Sequence, residues 1–111
     1  MKRILFALLV TVLWSCSALS AQESGVSVHL TGIGTLSCAH WRSTPARRSE
    51  GTVWIYGFWS GLNYVAAASD QAQSNVGEAA MAAEVDKVCA RHPSEVLASA
   101  VWTAYLELNK R

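Results

Sequence analysis

Three sets of residues in this chain carry groups that could do chemistry. The first is Cys38-Ala39-His40 together with Cys89-Ala90-Arg91-His92, two thiols and two imidazoles. Zinc accepts such a ligand set, and an oxidising compartment would instead join the two cysteines as a disulfide. Residues two apart on a helix point to nearly opposite sides, so Cys38 and His40 do not converge on one ion. The second set is Gly57-Phe58-Trp59-Ser60-Gly61. It is one residue out of register for a Gly-x-Ser-x-Gly nucleophile elbow, which also needs a preceding strand. Read as Gly-x-x-x-Gly, it places Gly57 and Gly61 on one helix face and predicts close approach of another helix there. The third set is the acids Glu78, Glu84, Asp86 and Glu95. They form no facing pair of the kind that glycoside hydrolysis needs, and they read as a solvated face with local pairs such as Glu84–Lys87 and Glu107–Arg111. His29, His40 and His92 read as surface or capping residues. No catalytic residue, metal site or cofactor follows from these sets, and the chain reads as a non-enzyme.

The disulfide depends on the compartment, and the N-terminus speaks to that. Lys2 and Arg3 precede an uncharged run from Ile4 to Trp14, followed by the small residues Ser15 to Ala21. The run is too short to span a bilayer as a helix, and the pattern is that of an export signal over residues 1–21. The expected location is periplasmic or secreted. Leu13-Trp14-Ser15-Cys16 also outlines a lipoprotein cleavage site, with Cys16 as the anchor, as a minor alternative. Signal removal takes Lys2 and Arg3, leaving seven basic residues against eight acidic ones, a formal charge of −1. It also takes Cys16 and leaves Cys38 and Cys89, an even count that predicts a Cys38–Cys89 bond. Closing a loop of about 50 residues should stabilise the fold by ~4 kcal/mol on the chain-entropy estimate.

The elements that hold these residues read as helices. Residues 22–35 hold three glycines and a short alternation at Val26, Val28 and Leu30, an extended arm or a single edge strand. Residues 36–111 read as one helical domain. A short helix over Leu36 to Arg42 carries Cys38 and Trp41. Ser43 to Ser49 reads as a connection, with Ser49 capping a long helix to about Ala68 and Glu50 in its first turn. That helix is apolar nearly all round, which predicts a central position surrounded by other elements. Asn75 and Glu78 form a capping box for a third helix carrying Met81, Val85, Val88 and Cys89. Pro93 ends that helix and suits the first turn of a fourth, in which Leu97, Val101, Ala104 and Leu108 make one stripe. The expected fold is all-α, a small four-helix domain with one disulfide linking the first and third helices.

Hydrophobic residues are 51% of the 111-residue chain and charged residues 15%, which excludes a disordered polyelectrolyte. No basic cluster is present, so nucleic acid is not an expected partner, and no transmembrane segment is expected. The mature chain keeps four tryptophans, and Trp54, Tyr56 and Trp59 fall within six residues. They read either as a packed aromatic core or as an interface to another protein or to a second copy in a homodimer, since aromatics anchor interfaces.

Cys38 with Trp41 resembles the start of two groups of small exported proteins, and Gly57 with Ser60-Gly61 and Asn63 resembles the Gly-x-x-Ser-Gly segment of one of them, the Rap/Tai-type immunity proteins of type VI secretion. Those are periplasmic, helical and disulfide-bonded, and they neutralise a sibling cell's effector. The stretch Val85 to Leu97, with Val88-Cys89, Pro93 and Leu97, is similar to the later half of the HdeA/HdeB acid-stress chaperones. The resemblance covers about 70 residues. It implies a protein-interaction module that binds one effector or, alternatively, unfolded clients in acid.

Overall fold

The computed structural model describes residues 27–110. Residues 1–21, expected to be an export signal, with Cys16 as the alternative anchor, and the beginning of the arm lie outside the described residues, as does Arg111. Four α-helices follow a 3-10 turn at Gly32–Thr35: α1 (Cys38–Trp41), α2 (Pro45–Ala68), α3 (Glu78–Arg91) and α4 (Leu97–Asn109). The fold is all-α, and among the described residues the β-structure is a single antiparallel bridge between Ser37 and Val96. Cys38 on α1 is bonded to Cys89 on α3, with Cα atoms 5.3 Å apart. Both cysteines are fully buried, so the bond lies inside the apolar core.

Helix boundaries differ from the expected ones, each for a local reason. α2 begins at Pro45 rather than at Ser49, because Thr44 Oγ1 accepts the Arg47 N–H at 3.2 Å. Proline, whose ring presets φ, suits that first turn. The Ser43–Ser49 connection is therefore mostly helix, and Glu50 lies beyond the first turn. α3 begins after Gly77, with no side-chain cap, so Asn75 does not close a capping box. α4 begins at Leu97 rather than near Pro93. Its approach segment gives its backbone to α1 instead: Cys38 N–H donates to Glu95 C=O at 2.8 Å and Ala39 N–H to Pro93 C=O at 2.9 Å. The first N–H groups of a helix have no partner within it, and here residues 93–95 supply them. A helix of four residues persists because its donors are met from outside and Cys38 is covalently tied.

The core gathers Trp41, Ile55, Trp59, Val85, Val88, Leu97, Val101 and Ala104, all fully buried, with the disulfide among them. The Leu97, Val101 and Ala104 stripe of α4 points inward as its spacing requires. α2 is not surrounded. Gly51, Ile55, Trp59 and Ala66 line its covered face, while Val53, Gly57, Ser60, Gly61 and Tyr64 are exposed on the other. The described elements are too few to cover a 24-residue helix on every side.

Candidate functional site: an exposed apolar surface beside α2 and α4

Close packing against glycine occurs, at other positions than Gly57 and Gly61. Among the described residues nothing lies within 4 Å of where a Cβ would stand on either glycine, so the expected helix contact is not made there. A Cβ on Gly51 would fall inside the Trp41 indole, and one on Gly34 inside that of Trp54. Gly51 lets Trp41 lie flat on α2. There its indole N–H donates to Arg48 C=O at 3.1 Å, with the Arg48 guanidinium 3.9 Å above the ring. Arg48 also holds Asp86 on α3 with both nitrogens, at 2.6 and 2.5 Å, and Arg42 adds a contact to the same carboxylate at 3.6 Å. Trp41, Arg48 and Asp86 thereby lock α1, α2 and α3 at one end.

The aromatic triplet of α2 divides by position on the helix. Trp59 is fully buried and meets Tyr105 edge-to-face, with centroids 5.2 Å apart; it is a core residue and offers nothing to a partner. Trp54 is half-buried and serves the chain itself. Its indole N–H donates to Thr31 C=O at 3.0 Å and its ring stacks on Phe58 at 5.0 Å. Above it lie Gly34 and Gly32, the latter at φ +79°, a conformation that glycine tolerates readily. The last part of the arm is therefore clasped to α2 rather than free, with Ile33 buried. Tyr56 is half-buried against the core.

The acids are also more engaged than a solvated face requires. Glu84 is buried, with Lys87 Nζ at 3.4 Å, as the expected pair has it. Glu107 accepts from Arg91 at 3.1 Å, and Asp86 forms the clamp described above. No group of acids, histidines or cysteines among the described residues is arranged to hold a metal ion. No helix of the described residues is long and apolar enough to cross a membrane.

What remains exposed and apolar lies elsewhere. Between the end of α2 and α4 runs a groove of about 410 Å³ whose walls include Leu62, Val65, Trp102 and Leu106. Ser69, Gln71 and Asn109 stand at its polar margin. Val65 is 61% exposed and Trp102 47%, although such side chains are usually buried or nearly so. Trp102 stacks on Tyr105 with ring centroids 6.1 Å apart. Asn63 anchors Tyr105, one of the groove's lining residues: its amide bonds the Ser74 backbone at 2.9 Å through both its oxygen and its nitrogen, and it accepts the Tyr105 hydroxyl at 3.0 Å. Sequence reasoning did not single out Trp102 or Val65 for this surface. The available signal was that Trp102 falls off the Leu97–Val101–Ala104 stripe.

Comparison with protein-family models, with curated proteins and with solved structures finds no match to this chain.

Proposed function

We propose that this chain is an exported, non-enzymatic protein-interaction module that binds another protein through the groove between α2 and α4. The reading fits an immunity-type protein that neutralises a secreted effector near neutral pH. One observation carries it: Trp102, stacked on Tyr105, stands 47% exposed in the lining of a largely apolar groove that also holds the polar side chains of Ser69, Gln71 and Asn109. Apolar centre and polar rim are the anatomy of a protein interface, and tryptophan is the residue most enriched among interface anchors. The disulfide ties α1 to α3, the helices against which α2 and α4 pack.

The test is capture of one partner from periplasmic extract at pH 7 by the immobilised mature chain, compared with Trp102→Asp and Val65→Asp. Both positions are exposed, so both variants should fold. The reading expects a single species retained by the wild type and lost from both variants. Equal capture by all three would remove it.

A second reading, an acid-stress chaperone, is favoured by the Arg42–Asp86–Arg48 clamp, which needs an ionised carboxylate. Below about pH 3 carboxylates are mostly neutral and histidines charged. The mature chain's formal charge then moves from −1 to about +10, on its seven basic residues and three histidines, and self-repulsion loosens the packing. Suppression of aggregation of unrelated clients at about pH 2–3, absent at pH 7, is the result this reading requires. Native near-ultraviolet circular dichroism retained in acid would dispose of it.

A further inference from the structure

The open face of α2 has a pattern of its own, separate from the groove. Val53 is 70% exposed and Tyr64 79%, and between them Gly57, Ser60 and Gly61 lie bare. Ser60 turns its hydroxyl back to Tyr56 C=O at 2.8 Å, so even this polar group is spent within the helix. Glycine is among the poorest helix formers, and nothing among the described residues lies within 4 Å of a Cβ built on either glycine. Small residues on a helix face let a second helix come close.

We propose that this face pairs with the same face of a second copy, antiparallel, about a two-fold axis passing α2 between Phe58 and Trp59. This goes beyond the reading given above and holds whatever protein the groove takes. Two features select a copy of this chain as the occupant. The face is complementary to itself when reversed: Val53 comes opposite the partner's Tyr64, and Gly57 opposite the partner's Ser60. Bulky side chains therefore meet at both ends and small ones at the centre, in the isologous manner of a two-fold interface. The charges reverse in the same way. Arg47 near the start of α2 and Asp70 just past its end are both exposed, and neither makes an ion pair among the described residues. Arg47 bonds only Thr44 and Ser43. An antiparallel pair sets Arg47 against the partner's Asp70 at each end, with the helix dipoles opposed. Glu50, the one charge on the face itself, lies towards its end.

Sedimentation equilibrium of the oxidised mature chain tests this, with cysteine cross-linking to fix the register. The wild type should associate to a dimer as concentration rises. Gly57→Leu has room in the monomer and should abolish association while leaving the far-ultraviolet spectrum unchanged. Arg47→Asp should weaken association about tenfold, and adding Asp70→Arg in the same chain should restore it. The Val53→Cys and Tyr64→Cys double variant should cross-link two copies on oxidation. Val53→Cys alone should not, because the two Val53 positions sit about 16 Å apart along the axis. A wild type that stays monomeric at every concentration overturns the proposal. So does a dimer indifferent to both Gly57→Leu and Arg47→Asp, or cross-linking by Val53→Cys alone.

Discussion

Tyr105 on α4 donates its hydroxyl to Asn63 Oδ1 on α2 at 3.0 Å, and the same oxygen accepts the Ser74 N–H at 2.9 Å. One amide thus joins α2, α4 and the chain between α2 and α3. Asn63→Ala strands the Ser74 backbone and the Tyr105 hydroxyl together, at about 2–3 kcal/mol, whereas Tyr105→Phe removes one bond at about 1 kcal/mol. Urea denaturation of the two variants should return that order.

The four glycines of the packed and open faces should separate cleanly. Gly34→Ala and Gly51→Ala drive a methyl into Trp54 and Trp41, and each should cost about 1–3 kcal/mol by overpacking. Gly57→Ala and Gly61→Ala meet open space and should stabilise the monomer by up to about 1 kcal/mol through helix propensity. Thermal melts at low protein concentration, where association does not contribute, make the comparison.

Cys38–Cys89 ties α1, a helix of four residues, to α3. Without the bond α1 is held by the backbone carbonyls of Pro93 and Glu95 and by Trp41 with its Arg48 contacts, all non-covalent. Cys89→Ser should therefore destabilise the domain by about 2–5 kcal/mol. Chemical denaturation reads the loss, and mass spectrometry without reductant should show no alkylatable thiol in the mature wild type.

The Asp86 carboxylate hydrogen-bonds the Arg48 guanidinium and raises its pKa above the ordinary value, against the opposing effect of partial burial. Stability from a cation with a raised pKa is complete below its unfolded value and is lost only as pH rises through the folded one. For arginine that lies in strong alkali, so this group should add no slope to stability between about pH 6 and 9. Asp86→Asn should lower the whole plateau by roughly 1 kcal/mol, a modest effect because both side chains are about one-third exposed. A stability profile of wild type and variant over that range checks both statements.

Composition, helical periodicity and the even count of cysteines left once the expected signal is set aside were enough to specify an all-α domain closed by Cys38–Cys89. Those are local or arithmetic properties of the chain: apolar spacing at Val85, Val88 and Leu97 to Ala104 marks an inward face wherever the helix ends up. Helix ends were less legible. The start of α4 depends on residues 93–95 giving their carbonyls to α1, a partner remote in sequence. The uses of glycine and tryptophan were not legible at all. Gly57 and Gly61 carry the spacing of a packed pair and lie open, whereas Gly34 and Gly51 carry no pattern and lie under indoles. Trp59 and Trp54 look alike in sequence, yet one fills the core and the other clasps the arm. Helical phase limits which residues share a face; which face is covered is set by the number and placement of the other elements. That was decided only when α1, α3 and α4 closed on one side of α2 and left the other side, and Trp102 beside it, in solvent.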